Sequence, residues 1–330
     1  MKKNRFYNVL VVLLSVMFCA GITELGMRVL LKNSLRTRTN EKSLLYRYDE
    51  KLGWFPVERS DRTFTGSRPI KVSHNSRGFR DPERVIDSRP AILFLGDSFV
   101  WGYDVESEER FTEKLRAKLP GWAVYNLGVS GYGTDQEYLL LMQQYGFYKP
   151  KIVVVLFGSG NDELDNSYNA RYGSYFKPYF TADGDQLTLK GVPVPKSYDY
   201  FIAQHDLLSR SYWFRLLANG YFKITGPATV RVEDPTRAII ANMNRFVTSR
   251  GAAFIVGLHD ANAEFQNYLK DNRIPFVDLS NSFTYPEQGR HWTPEGHTVV
   301  SEKIYNFLMQ GGYLQERAVT GSRASAVSQR

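Results

Sequence analysis

Ala91-Ile92-Leu93-Phe94-Leu95-Gly96-Asp97-Ser98-Phe99-Val100 is the stretch on which the fold turns. Five consecutive apolar residues without polar alternation predict a strand buried on both faces, as in a parallel sheet covered by helices. The run stops at Gly96, and Ser98 follows two residues later, where strand gives way to loop. Ligands bind at that carboxyl edge in open parallel sheets. A hydroxyl presented there on a turn is a candidate nucleophile. The G-x-S-x-G nucleophile elbow is excluded, because Val100 stands where its second glycine would be. A tight turn with a helix cap accounts for Gly-Asp-Ser equally well on its own.

Outward from this strand the chain alternates regularly. Further strands are expected at 122–127, 151–157, 252–258 and 274–279. Helices are expected from Ser107 to Leu115, with Glu108 and Glu109 in the first turn, and from Thr134, with Tyr138, Leu139, Met142 and Tyr145 on one face. Others run from the Asp234-Pro235 cap to Ser249, from Asp260 to Leu269, and from Thr293-Pro294 to Met309. Alternation at this spacing means an α/β fold with a parallel sheet covered on both faces. The domain spans 91–312. An insert at about 165–232 falls outside the rhythm and is crowded with Tyr168, Tyr172, Tyr175, Phe176, Tyr179, Phe180, Tyr198, Tyr200 and Phe201. Within it, 209–222 places Tyr212, Trp213, Leu216 and Leu217 at helical spacing. The insert reads as a subdomain core, with a lid over Ser98 as the sharper alternative. Residues 34–90 form a polar and aromatic lead-in. Its turn, Asn75-Ser76-Arg77-Gly78-Phe79-Arg80-Asp81-Pro82, is expected to pack rather than to act. The tail, 313–330, has no periodicity and is expected to be disordered.

Composition narrows the classes. In 330 residues, 43% hydrophobic and 14% aromatic content supports a sizeable core and excludes wholesale disorder. The net charge of +8 comes without a dense basic cluster interleaved with aromatics, so no nucleic-acid partner is expected. Cys19 is the single cysteine, which excludes an internal disulfide or a cysteine metal site. At the N-terminus, Lys2, Lys3 and Arg5 precede an uncharged run from Phe6 to Thr23, followed by Glu24. That run is barely long enough to cross a bilayer. No small-x-small cleavage site follows it, and Phe18 spoils a lipoprotein signal at Cys19. Residues 1–33 are therefore read as an uncleaved membrane anchor, with a cleaved signal peptide as the rival. Arg28, Lys32, Arg36 and Arg38 balance the basic residues ahead of the run, so charge does not fix its orientation.

Three more stretches raise Ser98 above a capped turn. Asn126-Leu127-Gly128-Val129-Ser130-Gly131-Tyr132-Gly133 follows the second strand, and its glycines let backbone N–H groups approach a ligand. Gly158-Ser159-Gly160-Asn161-Asp162 follows the third and offers a carboxamide donor. Acyl transfer needs such donors around a developing oxyanion. Gly289-Arg290-His291-Trp292-Thr293-Pro294-Glu295-Gly296-His297 puts one histidine just before the last helix and another one turn inside it. A serine nucleophile needs a base within reach, and the chain has five histidines to supply it.

With these four stretches in this order, the chain resembles the SGNH (GDSL-type) hydrolases over about 91–309. The resemblance implies a three-layer α/β/α fold with a parallel sheet, of SGNH/flavodoxin-like kind, that hydrolyses or transfers acyl esters without metal or cofactor. By motif it implies Ser98 as nucleophile and His291 as base. The oxyanion donors would be the N–H groups of Ser98 and Gly131 and the amide of Asn161. His297 falls behind, as a structural residue. One position departs from the pattern. The family's aspartate three residues before the histidine is Gln288 here. Glu287, one residue early, Asp260, or a dyad oriented by a backbone carbonyl stand as alternatives. A slow enzyme, a changed orienter and an inactive glycan-binding relative all stay open. The N-terminal run, the Asn-x-x-Gly-Phe-Arg lead-in and the aromatic insert together resemble membrane-anchored bacterial members with an extracytoplasmic domain. Some of these process O-acyl groups on cell-surface polysaccharide, which makes a carbohydrate ester the expected substrate. A lipase or thioesterase is a further reading.

Overall fold

The computed structural model describes residues 2–33, 35, 41–172, 175–205, 207–260, 262–287 and 289–315. Gln288 and nearly all of the tail expected to be disordered lie outside the described residues. An N-terminal helix, α1 (Lys2–Leu30), precedes the short α2 (Glu41–Leu45). Two antiparallel hairpins come next, β1 (Tyr46–Asp49) with β2 (Gly53–Pro56), and β3 (Asp61–Thr65) with β4 (Pro69–Ser73). The main domain opens with β5 (Ala91–Leu95), α3 (Ser98–Trp101), α4 (Phe111–Lys118), β6 (Ala123–Asn126), α5 (Thr134–Tyr148), β7 (Ile152–Gly158) and α6 (Ser159–Asn166). The insert holds two small antiparallel pairs, β8 (Ala170–Arg171) with β9 (Tyr175–Phe176), and β10 (Tyr179–Asp183) with β11 (Gln186–Lys190). It continues into α7 (Tyr198–Ala203) and α8 (Tyr212–Thr225). The domain closes with α9 (Thr236–Thr248), β12 (Ala253–Asp260), α10 (Ala263–Asp271), β13 (Phe276–Asp278) and α11 (Pro294–Gln310).

The central sheet is parallel and five-stranded, in the order β13-β12-β7-β5-β6. All five residues of β5 are buried, because the sheet is covered on both sides. Leu93 and Leu95 pack with Ile239, Ile240 and Met243 of α9 and with Leu139 and Leu140 of α5. Ile92 and Phe94 face the other layer, with Leu115 of α4 and Val300, Ile304 and Leu308 of α11. After β6 pairs on one side of β5, the chain crosses to β7 on the other, so strand order reverses there. Such a reversal opens a crevice at the carboxyl ends of the two strands. Ser98 and Asn161 follow those two strands.

Several local expectations change. The single helix expected from Ser107 is a 3-10 turn, Ser107–Glu109, separated from α4 by the extended Arg110. Asp260 does not cap the next helix. It ends β12, and the side chain of Asn262 accepts the Phe265 N–H instead, at 2.7 Å. The third loop is mostly helix, because α6 begins at Ser159 and carries Asn161 in its first turn. Much of the insert's aromatic content joins the main core, with Tyr175, Phe180 and Tyr200 buried in the same cluster as Leu93.

The lead-in braces the site from behind. Trp54 on β2 is fully buried, its Nε1 donates to the Ser130 carbonyl at 3.2 Å, and the Tyr132 hydroxyl returns a 2.6 Å bond to the Trp54 carbonyl. Arg80 is likewise fully buried. Its guanidinium donates to the carbonyls of Gly102 (2.5 Å), Lys71 (2.9 Å) and Val105 (2.8 Å), holding the loop that leaves α3. Burial pulls its pKa down to about 9, which still leaves it charged at neutral pH. Arg80→Ala would strand these buried carbonyls, at about 1–3 kcal/mol for each unsatisfied group. The variant should therefore lose at least about 3 kcal/mol of stability in urea unfolding. A loss below about 1 kcal/mol would mean that water or a repacked loop replaces the guanidinium.

Candidate active site

Asp97 sets the local geometry. Its Oδ1 accepts the Phe99 N–H at 2.9 Å and so caps α3, which makes Ser98 the first residue of that short helix. The first turn of a helix leaves N–H groups without intrahelical partners, so the Ser98 N–H stands at a donor-rich terminus. The Ser98 Oγ lies 2.7 Å from the His291 Nε2. His291 is carried by the segment between β13 and α11. That segment is pinned by a bridge between Thr284 and Trp292, by the Tyr285 N–H donating to the His291 carbonyl, and by Thr293 capping α11. The imidazole stacks on Tyr103, with ring centroids 4.3 Å apart, and meets Phe99 at a tilt, 5.1 Å away.

The other loops converge on the same edge. Gly128 packs so closely under α3 that a Cβ would meet the Trp101 nitrogen at 2.4 Å. Gly131 takes a φ of +79°, a left-handed turn that a side chain would strain. Ser130 lines the cleft and Gly131 follows it. Asn161 donates from Nδ2 to the Asp97 Oδ2 at 2.6 Å and accepts at Oδ1 from the Arg171 Nη2 at 2.7 Å. That pairing fixes the amide. The flipped rotamer would set NH2 against a guanidinium and oxygen against a carboxylate. Nδ2 has a second hydrogen beyond the one given to Asp97. Arg171 also ion-pairs with Asp165 at 2.5 Å. The cleft above these groups encloses about 1120 Å³ and is lined by Ser98, Asn161, His291, Arg171, Tyr172 and Arg290 among others.

A family model for GDSL-like lipases and acylhydrolases matches residues 94–299. The chain belongs to the GDSL-like lipase/acylhydrolase family. The central parallel sheet is that of an α/β fold. Similar solved structures include a member of the lipolytic G-D-S-L family from Veillonella parvula DSM 2008, 12% identical, with a TM-score of 0.37, covering 67% of this chain and 98% of that one. The psychrotrophic esterase EstA from Pseudoalteromonas sp., also 12% identical, has a TM-score of 0.38 and covers 67% and 97%. A two-domain esterase active on acetylated mannans, 12% identical, has a TM-score of 0.37 and covers 67% of this chain and 49% of its own. No curated protein matches.

The remaining acyl-hydrolase candidates sort by position. Glu287 is exposed, its carbonyl accepts the Arg290 N–H, and it is not among the residues lining the cleft. Asp260 does line the cleft. His297 is buried on α11, where its Nδ1 accepts the Phe111 N–H at 3.2 Å. Burial and the nearby Arg110 and Arg80 push its pKa down to about 3, so it is a neutral packing group. His259, at the end of β12, stacks on Phe99 at 3.9 Å. Burial lowers its pKa, partly offset by the charge of Asp97.

Sequence reasoning missed Arg171 and the buried acids beneath it. Asp135, Glu137, Asp162 and Asp165 are all buried. Lys177 pairs with Asp135 in full burial, as Arg171 does with Asp165 under slight exposure. Burial, reinforced by neighbouring carboxylates, holds Glu137 and Asp162 well above the usual carboxylate range. Asp165 is pushed up to about 6. Arg171 and Lys177 sit among tyrosines in the insert, and nothing in their spacing marks them as partners of α5 and α6.

A double-mutant cycle tests Arg171 as the positioning residue for Asn161. If Asn161 supplies an oxyanion donor, as its motif implies, Asn161→Ala should lower kcat by about 100- to 1,000-fold with KM changing much less. Arg171→Ala should lower kcat in the presence of Asn161 and change it little in the Asn161→Ala background. Additive losses would mean that Arg171 acts elsewhere, on the substrate or on Asp165.

Proposed function

We propose that this protein is a serine esterase or acyltransferase acting on a small acyl ester, an O-acetyl or similar group on a carbohydrate. The observation that carries the reading is the 2.7 Å contact between Ser98 Oγ and His291 Nε2 at the floor of the cleft. In the proposed mechanism, Ser98 Oγ attacks the ester carbonyl while His291 Nε2 takes its proton. The negative charge on the carbonyl oxygen is met by the N–H groups of Ser98 and Gly131 and by the free hydrogen of Asn161 Nδ2. Collapse expels the alcohol, which receives the proton from His291, and leaves an acyl-Ser98. Water or a second sugar hydroxyl then attacks the acyl group, with His291 again as base. Collapse breaks the acyl–Oγ bond, and His291 returns the proton to Ser98 Oγ as the acid or transferred ester leaves. This chemistry needs no metal or cofactor.

The cleft wall supports a carbohydrate ester over a long acyl chain. Asn281, Ser282, Thr284, Asp260 and Arg290 offer donors and acceptors around the rings of Tyr172 and Tyr103. Polar groups interleaved with aromatic faces suit a sugar, whereas a fatty chain calls for an unbroken apolar trough. A second reading, a glycan-binding relative without turnover, draws on the exposed position of Glu287, which leaves no carboxylate from that residue at the cleft. A fluorophosphonate probe decides between them. Wild type should be labelled at Ser98 and should hydrolyse p-nitrophenyl acetate, and Ser98→Ala should lose both while keeping its circular dichroism spectrum. Unlabelled wild type would remove the catalytic reading and leave the binding one.

Helix α1 is long and apolar enough over Arg5–Leu30 to cross a membrane. We read it as a signal-anchor that holds the domain outside the cytoplasm of a bacterial cell. Protease added to spheroplasts should digest the domain. A protected domain would reverse the topology.

A further inference from the structure

We propose that the outer face of α8 lies in the membrane interface, so that two elements and not one hold the domain to the bilayer. The inference rests on the anchor reading of α1 and goes beyond it. Trp213, Leu217, Tyr221 and Ile224 are 41%, 68%, 62% and 86% exposed. At about 100° per residue their spacing puts all of them within one quadrant of the helix. A neighbouring face is already used. Phe214 and Phe222 contact Phe201 of α7, and Ala218 is buried. The exposed apolar stripe is therefore not left over from core packing.

The contacts with α1 say what covers it. The Glu24 carboxylate accepts the backbone N–H groups of Tyr212 (2.9 Å) and Trp213 (3.2 Å) and the Ser211 hydroxyl (3.1 Å). Trp213 Nε1 donates to Thr23 Oγ1 at 3.2 Å, and the Arg28 guanidinium donates to the Arg210 carbonyl at 2.7 Å. The start of α8 is thus fastened to α1 where the uncharged run from Phe6 to Thr23 ends and charged residues begin. In a spanning helix that level is the boundary between hydrocarbon and headgroups. Tryptophan and tyrosine concentrate at this depth, because an apolar ring and a polar N–H or O–H are both satisfied there. A soluble partner bound to the stripe would have to occupy the space next to the unburied apolar face of α1, which lipid fills. Two attachment points would fix the orientation of the domain over the membrane, where a single helix would leave it to swing.

The tryptophans make the test selective. Of the five in the chain, Trp54, Trp101 and Trp292 are buried, Trp122 is half-buried, and α1 contains none. The full-length protein would be reconstituted in phosphatidylglycerol vesicles containing phosphatidylcholine brominated near the glycerol end of its acyl chains. The expected result is quenching of tryptophan emission that is lost in Trp213→Phe and reduced in Leu217→Glu, while both variants still float with the vesicles after alkaline extraction. Equal quenching in wild type and Trp213→Phe, in protein that floats, would overturn the α8 inference and leave the anchor reading standing. Protein that does not float would overturn both.

Discussion

The carboxylate of Asp97 is the interaction on which the site depends. One oxygen caps α3 and so presents Ser98 at the start of a helix, and the other accepts the amide of Asn161 in the first turn of α6. A buried carboxylate is costly unless its lone pairs are met by donors, and these two donors come from the first turns of α3 and α6. The charge thus holds the crevice between β5 and β7 in one geometry. Removing it would uncap α3 and leave the Asn161 amide to Arg171.

Around that point the structure is built by mutual support between distant segments. Hairpin β1–β2 reaches under the loop after β6 through Trp54, and Arg80 holds the chain leaving α3 by its carbonyls. The insert reaches the same edge from the other side, where Arg171 fixes the Asn161 amide. The lead-in and the insert are therefore the parts that brace the site around the sheet. They act through hydrogen bonds to backbone or amide groups.

The acids beneath the site show how burial and charge are balanced. Asp135 and Asp165 have cationic partners, and they stay compatible with burial through those pairs. Among the described residues, both carboxylate oxygens of Glu137 and one of Asp162 lack hydrogen-bond partners, and burial with neighbouring carboxylates raises both pKa values well above the usual carboxylate range. Holding a proton avoids the larger cost of an unpaired buried charge.

By itself, the sequence determined the parallel sheet and the four stretches that meet at its edge. A run such as 91–95 has no amphipathic alternative, and short-range signals such as Gly-Asp-Ser and Thr-Pro report local turns and caps directly. The family resemblance rested on the same local signals. The tertiary structure decided what depends on contacts across the chain. It set Ser98 against His291, 193 residues apart in sequence. It also put Arg171 on Asn161, split the helix expected from Ser107, and ended β12 at Asp260. The lead-in hairpins were illegible for the same reason. Their strands are four or five residues long, and β2 is buried along its whole length by groups from other elements. Periodicity records which face of an element meets the core, and it carries no record of which distant residue it meets there.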